Sequence, residues 1–253
     1  MFKNHSHRSR SLLYSLVVIL VLAAGLSIGY SVNSYKKAKL ARLDNCSPTA
    51  GNIPQTTANP TAERVVLIGD SRILEWGKPD LGEKVEVINL GVAGETTGET
   101  LCRIDDRLLS LTPDWYIVEV GINDMVAASM LSREEQKKIL GQSLHNIKQI
   151  AARLSSGKSK VLLLTVPPPI SPDIIRSLVW GNSIEEITEE LSYALLNELP
   201  ENIHVYDMKK IFFDRNTHSW KTGLSRNALH WNSKGYAILN TEVMEILFNQ
   251  PPH

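Results

Sequence analysis

A serine, an asparagine and a histidine stand at three separate places in the chain where helical patterns begin or where strands end. Ser71 follows the apolar run Val66-Leu-Ile-Gly-Asp, Asn123 follows Glu119-Val-Gly-Ile, and His230 precedes the last helical pattern. A serine hydroxyl becomes a nucleophile when an imidazole removes its proton, and an amide can donate to a developing oxyanion. Taken singly, each residue has a structural alternative. Ser71 could be a helix cap, Asn123 a turn residue and His230 a structural or solvated histidine.

Other residues near Ser71, Asn123 and His230 are also candidates for the site, and each has an ordinary structural alternative. The loop Asn89-Leu-Gly-Val-Ala-Gly94 lets the Gly94 amide face a ligand, although such glycines also make ordinary turns. His218 competes with His230 and ranks below it, because it lacks the surrounding motif. We expect Asp70 to hold the turn before Ser71 by hydrogen bonds. We interpret Arg72 as a solvated helix residue, with steering of an anionic substrate as the alternative.

An alternation of strands and helices predicts the fold that must position these residues. Short apolar runs predict strands at 64–69, 85–90, 115–120, 160–166 and 203–206, and helical patterns occupy roughly 71–77, 97–110, 133–154, 181–198 and 234–248. Ser132 and Glu135 form a capping pattern at the start of the third helix. Five strands interleaved with helices predict an α/β fold, a three-layer α/β/α sandwich with a five-stranded parallel sheet. Ligands bind beyond the carboxyl ends of such strands, where the candidate residues lie.

Taken together, the segments resemble the SGNH (GDSL-type) hydrolase family of esterases and lipases over roughly residues 64–248. The resemblance rests on five motifs: Gly69-Asp70-Ser71, Asn89-x-Gly91-x-x-Gly94, Gly121-x-Asn123-Asp124, Thr165-Val-Pro-Pro-Pro169 and His230-x-Asn-x-x-Gly-Tyr236. It implies the flavodoxin-like fold of that family.

The resemblance also implies residue roles. Ser71 is then the nucleophile and His230 its base, while the backbone N–H groups of Ser71 and Gly94 and the Asn123 side chain form the oxyanion hole. The family usually has an aspartate three residues before the histidine, where this chain has Asn227. An Asn carbonyl oxygen can still accept from the imidazole N–H, but it carries no charge. Where an Asp→Asn change was made in a serine-protease triad, the rate fell ~10,000-fold.

Three interpretations of Asn227 follow. In the first, His230 is a base that Asn227 or a backbone carbonyl supports. In the second, another acid orients His230, and Asp214 and Asp207 are the nearest candidates in sequence. In the third interpretation the domain has lost hydrolysis and kept binding.

Charge is balanced overall, with 27 basic and 27 acidic residues, which argues against a nucleic-acid binder. Basic residues flank an uncharged apolar stretch between Arg10 and Lys36 that is long enough to cross a bilayer. We interpret this stretch as an uncleaved membrane anchor, with a cleaved signal peptide or a buried core helix as alternatives. Basic groups are balanced on the two sides of this stretch, so the positive-inside rule does not decide its orientation. We expect the N-terminal tail inside and the large domain outside, which is the usual layout of such chains.

These patterns divide the chain into a short tail at 1–10, a transmembrane anchor at 11–30, a linker at 31–62 and a hydrolase domain at 63–253. Within the linker, residues 46–62 are uncharged and contain three prolines, which is typical of an extended tether. We expect Cys46 and Cys102 to remain free thiols, with a disulfide between them outside the cell as the alternative.

The sequence therefore predicts a membrane-anchored serine hydrolase that cleaves carboxylic esters through an acyl-enzyme, with its catalytic domain in the periplasm or at the cell surface. An acyl lipid or an O-acetylated glycan is the expected substrate, and neither a cofactor, a metal nor a nucleic acid is expected. The alternatives are an acyltransferase on the same scaffold and a non-catalytic module that binds glycan or lipid.

Overall fold

The computed structural model describes residues 3–43, 46, 62–170, 172–180 and 183–248. The chain divides into two compact units, Met1–Leu40 and Ala41–His253. Helix α1 (Lys3–Leu43) accounts for the described part of the first unit. Its segment Leu13–Leu43 contains an 18-residue stretch with a mean hydropathy of 2.2 and is long and apolar enough to cross a membrane, a criterion that an N-terminal signal sequence also meets. Residues 31–43, which the sequence assigned to the linker, are helical, and residues 47–61 lie outside the described part.

The second unit is built on the five-stranded parallel sheet that the sequence predicts. Its strands are β1 (Glu63–Gly69), β2 (Val85–Gly91), β3 (Trp115–Glu119), β4 (Lys160–Leu164) and β5 (His204–Tyr206). Their order across the sheet is β2-β1-β3-β4-β5, and every neighbouring pair is parallel. This is the flavodoxin-like order, so the predicted fold class is confirmed.

Helices cover the sheet, and most of them occur where the 3.6-residue pattern predicts. They are α2 (Ser71–Trp76), α3 (Thr97–Arg103), α4 (Asp106–Leu109), α5 (Ile122–Ala128), α6 (Arg133–Leu154), α7 (Ile174–Trp180), α8 (Ser183–Glu198), α9 (Lys209–Phe212) and α10 (Ser233–Phe248). The predicted helix at 97–110 is two short helices, and the sequence missed α5, α7 and α9. A small antiparallel ribbon, Phe213–Asp214 with Ser219–Trp220, was also missed. The capping box that Ser132 and Glu135 form at the start of α6 is confirmed.

Two apolar layers pack against the two faces of β1, an interior strand of the sheet. Val66 and Ile68 point into one core cluster and Val65 and Leu67 into the other, and all four are completely buried. Burial on both faces explains why this strand reads as a continuous apolar run and not as an alternating one. The carboxyl end of β1 is therefore fixed from both sides.

The cysteines correct the sequence-based expectation, because Cys46 and Cys102 form a disulfide. Nearby, the Arg42 guanidinium pairs with both carboxylate oxygens of Glu99 at 3.0 and 2.9 Å. The Thr96 hydroxyl donates to the Arg42 carbonyl at 3.2 Å. Residues 42 and 46 are thus attached to helix α3 and the loop before it, and this attachment brings the two thiols together. Cys46 belongs to a region whose sequence has neither a helical nor a strand pattern.

Candidate active site

The turn that carries Ser71 is built by three consecutive residues. Asp70 is the N-cap of α2, and its Oδ1 accepts from the Arg72 N–H at 2.9 Å, which is the turn-holding role expected for it. Ser71 is therefore the first residue of the helix and not its cap. Gly69 precedes them because a Cβ there would collide with the Glu119 carbonyl of β3. The Gly-Asp-Ser sequence thus places the Ser71 hydroxyl at the carboxyl edge of the sheet.

Asn89 and Gly91 hold α2 against β2. The Asn89 amide donates to the carbonyls of Ile73 and Gly77, both at 2.6 Å, and its Oδ1 accepts from the Gly91 N–H at 2.8 Å. A Cβ on Gly91 would collide with the backbone at Leu74. This motif therefore fixes the helix that carries Ser71.

The histidine loop is held by its own motif residues. Asn232 Oδ1 accepts from the N–H groups of Lys234 and Gly235 at the start of α10. The Tyr236 hydroxyl donates to the Arg72 carbonyl at 2.8 Å, and this tyrosine is largely buried among acidic neighbours, which raises its pKa. The last helix is thereby bonded directly to α2.

Ser71, His230 and Asn227 form one hydrogen-bonded chain. His230 Nε2 lies 2.9 Å from Ser71 Oγ, and His230 Nδ1 lies 3.0 Å from Asn227 Oδ1. The same Oδ1 accepts from the backbone N–H groups of Leu229 and His230, both at 3.0 Å. Because those two donors identify the atom as the oxygen, Nδ1 must carry the proton and Nε2 must be the acceptor. This is the tautomer in which an imidazole can take a proton from Ser71.

Arg72 contradicts the expectation of a solvated side chain, since the residue is 1% exposed. Its guanidinium donates to the carbonyl of Leu229 at 2.7 Å, to the carboxylate of Glu119 at 3.1 Å and to the carbonyl of Pro167 at 3.0 Å. It also lies 4.5 Å from the ring centroid of Trp231. Arg72 therefore connects helix α2, which carries Ser71, to the histidine loop, to the end of β3 and to the segment that follows β4.

The surroundings of His230 favour its neutral form. Burial lowers the pKa of the imidazole most strongly, and the positive charges of Arg72, Arg226 and Arg176 add to this effect. Glu75 opposes them, because its Oε1 lies 3.6 Å from His230 Nε2. A neutral imidazole near pH 7 is the form that a general base requires.

The two acids that the sequence offered as alternative partners of His230 bond elsewhere. Asp207 accepts from the Lys209 N–H at 3.0 Å, and Asp214 accepts from the Asn216 N–H at 2.9 Å. Among the described residues, Glu75 is the only carboxylate within 4 Å of a ring nitrogen of His230.

Gly94 and Asn123 follow the strands on either side of β1 at the same edge of the sheet. Gly94, with φ +72°, lies three residues beyond β2, and Asn123 lies in the first turn of α5 beyond β3. The Asn123 amide donates to the Glu95 carbonyl at 3.1 Å, which ties the two loops together. Asp124 accepts from the Thr97 hydroxyl at 2.7 Å, and burial raises the pKa of this carboxyl to about 6.

Two buried acids lie under the site. Burial, together with the nearby Glu119 charge, raises the pKa of Asp70 to about 8, and Asp70 Oδ2 has no hydrogen-bond partner among the residues that the structure describes. Burial also raises the pKa of Glu119, while its ion pair with Arg72 works in the opposite direction. In the described part of the chain, no group of three or more His, Cys, Asp or Glu side chains could hold a metal ion.

Sequence reasoning missed the roles of Glu75 and Arg72 near the site. The spacing of Glu75 could have revealed it, because it follows Ser71 by four residues on a predicted helix and therefore lies on the same helix face. Arg72 offered no comparable signal, because an arginine in a helix pattern is normally exposed.

A serine hydroxyl bonded to an imidazole at the carboxyl edge of a parallel α/β sheet defines a site of the serine-hydrolase class. Residues 58–238 match the model of the GDSL-like lipase/acylhydrolase family. This chain belongs to that family, and esterase or acylhydrolase activity is the activity that the family indicates.

Individual relatives agree with this assignment. An arylesterase of Vibrio mimicus is 28% identical in an alignment of 128 positions that covers 45% of this chain and 60% of the relative, so the match spans less than two thirds of that protein. Among solved structures, the inhibitor-bound aryl esterase of M. smegmatis has a TM-score of 0.57 at 17% identity and covers 74% of this chain and 99% of its own. A GDSL-like lipase of Bacteroides thetaiotaomicron has a TM-score of 0.56 at 17% identity, covering 86% and 98%. These structural likenesses concern the fold.

Proposed function

We propose that this protein is a membrane-anchored serine hydrolase that cleaves carboxylic esters through an acyl-enzyme. The observation that carries the proposal is the chain from Ser71 Oγ to His230 Nε2 at 2.9 Å and from His230 Nδ1 to Asn227 Oδ1 at 3.0 Å. These distances lie within the range in which a base can take a proton from a nucleophile.

The first half of the reaction forms the acyl-enzyme. Ser71 Oγ attacks the ester carbonyl carbon while its proton moves to His230 Nε2. The carbonyl oxygen becomes an oxyanion, for which the N–H groups of Ser71 and Gly94 and the Asn123 amide are the proposed donors. The imidazolium then gives its proton to the leaving alcohol as the carbon–oxygen bond breaks. Each preorganised donor is worth ~100- to 1000-fold in rate.

The second half releases the acid. Water loses a proton to His230 Nε2, attacks the acyl carbon, and the tetrahedral intermediate expels Ser71 Oγ, which regains the proton. Asn227 holds the imidazole in the required tautomer throughout but carries no charge. We therefore expect a slower enzyme than one with a carboxylate at this position.

Acyl lipids and O-acetylated glycans are both proposed substrates. An acyltransferase would use the same acyl-enzyme and transfer the acyl group to an alcohol other than water. The two activities differ in product, so adding an acceptor alcohol separates them.

The test uses the full chain in detergent with p-nitrophenyl acetate and butyrate. We expect turnover that is lost in Ser71→Ala and His230→Gln and retained in Ser156→Ala, whose serine is exposed and donates to a local carbonyl. Product analysis with glycerol present then distinguishes the free acid from a transferred ester. Unchanged turnover in Ser71→Ala would refute the proposal, and ligand binding without turnover would favour the binding module.

Two features support membrane anchoring and an extracytoplasmic catalytic domain. The segment Leu13–Leu43 has the length and composition of a membrane span. The Cys46–Cys102 disulfide is typical of an oxidising compartment, because cytosolic thiols are normally kept reduced. The periplasm or the cell surface is therefore the proposed location.

Localisation is tested in cells that express the full chain. Resistance to alkaline extraction is expected for a spanning helix, and thiol alkylation before and after reduction should show that both cysteines are oxidised. Extraction into the soluble fraction would refute the anchor. Two free thiols in cells would refute the oxidising location.

A further inference from the structure

This inference rests on the proposed function and concerns the positive charge that forms on His230. When Ser71 loses its proton, the imidazole becomes an imidazolium. Its Nδ1 side faces Asn227 Oδ1, which is neutral. A carboxylate at that position would stabilise the imidazolium, and this chain has none there.

A carboxylate lies instead on the Nε2 side. Glu75 Oε1 is 3.6 Å from His230 Nε2, on the same short helix as Ser71 and one turn further along. The side chains of His230 and Glu75 are 18% and 28% exposed, so solvent screens the pair only in part.

Arg226 fixes the carboxylate in place. Its Nη2 lies 2.8 Å from both oxygens of Glu75. Arg226 belongs to the loop that carries His230, and its backbone N–H donates to the His230 carbonyl at 2.8 Å. The acid, the arginine and the histidine are therefore parts of one arrangement.

We propose that Glu75 is a positioning residue that stabilises the His230 imidazolium from the Nε2 side and so replaces, in part, the carboxylate that Asn227 does not supply. Glu75 takes no proton in this role. The proton moves from Ser71 Oγ to His230 Nε2 and from there to the leaving alcohol, while Glu75 remains ionised.

Among the strongest charges that act on His230 in the described part of the chain, Glu75 is the only negative one. Arg72 acts from α2, Arg176 from α7 and Arg226 from the histidine loop, and each lowers the pKa of the imidazole. Glu75 raises it. Without Glu75, the imidazolium would face three cations and a neutral amide.

The experiment compares the pH profiles of kcat/KM for the full-length wild type and Glu75→Gln. The acidic limb reports the pKa of His230 in the free enzyme. Removal of a charge that raises this pKa should move the limb to lower pH, by about half a unit to one unit after partial screening. We expect the plateau to fall by about 3- to 10-fold, because half a pKa unit corresponds to a factor of about three and one unit to a factor of ten.

A matched control is Glu134→Gln, which removes an exposed carboxylate that pairs with Lys138 on α6. It should leave both the limb and the plateau unchanged. A purely structural role of Glu75 would lower the plateau without moving the limb. That outcome, or a limb that moves to higher pH, would overturn the inference.

An NMR titration separates this inference from the proposed function. The His230 ring protons, assigned with His230→Gln, are followed in Ser71→Ala with and without Glu75→Gln, where turnover plays no part. A lower pKa in the double variant supports the electrostatic role, and an equal pKa refutes it. If Ser71→Ala retained hydrolysis, the proposed function would fail while the titration would still decide the role of Glu75.

Discussion

Replacement of Asn227 by aspartate tests how much kcat/KM increases when a carboxylate takes the place of the neutral amide beside His230. Asn227 Oδ1 accepts from His230 Nδ1 and from the N–H groups of Leu229 and His230, all at 3.0 Å. Aspartate has the same shape, and one of its oxygens can keep all three bonds. Since residue 227 is exposed, the new carboxylate remains solvated and introduces no buried charge.

The magnitude follows from the distance and the exposure. Two unit charges 4 Å apart interact by about 4 kcal/mol at an effective dielectric of 20. The solvent around residue 227 reduces that value, and Glu75 already supplies part of the charge. We therefore expect about 1 to 3 kcal/mol of transition-state stabilisation, or roughly 5- to 150-fold in kcat/KM. The new charge should also raise the pKa of His230 and move the acidic limb to higher pH.

The assay is p-nitrophenyl acetate hydrolysis across pH 4 to 9, with Asn227→Asp in wild-type and Glu75→Gln backgrounds. The gain should be larger without Glu75, because both carboxylates stabilise the same imidazolium. A variant with unchanged or lower activity and an unmoved limb would refute the reasoning and would show that His230 needs no further charge.

Three further predictions concern stability. Arg72→Met should lower the free energy of unfolding by about 3 to 5 kcal/mol, because it leaves the buried Glu119 unpaired. A second substitution, Glu119→Gln, should restore part of that free energy. Urea titration measures both effects, and an unchanged midpoint would contradict the account. Burial raises the pKa of Asp70 to about 8, so its contribution is present at low pH and is lost as pH rises from about 4 to 8. Asp70→Asn should therefore melt above wild type at pH 8, with a gap that narrows toward pH 5; calorimetry would contradict this if the gap were constant. Cys46→Ser should lower the stability by about 2 to 4 kcal/mol, and a reductant should do the same to wild type only.

The strands of the sheet could be predicted because burial on both faces leaves a direct trace in the sequence, whereas their flavodoxin-like order was implied by the family resemblance. Strand β1 reads as an uninterrupted apolar run, and glycines mark where it must approach β3 and where β2 must approach α2. Helices α5 and α7 were missed because both are short and lack an amphipathic pattern. In α5 every residue is buried, so apolar periodicity could not appear.

The serine, histidine and asparagine could be placed because each belongs to a motif at a strand end or a helix start. Arg72 could not, since its burial depends on carbonyls that come from residues far along the chain, Pro167 and Leu229. The disulfide was missed for a similar reason. Cys46 is attached to α3 through the contacts of Arg42, which tertiary structure alone creates.

The measurement that tests the central claim most directly is the mass of the full-length protein after reaction with a fluorophosphonate, followed by peptide mapping. We predict one adduct, on Ser71, that is absent in Ser71→Ala and much slower to form in His230→Gln. Labelling at another serine, or equal labelling of the Ser71→Ala variant, would contradict the account.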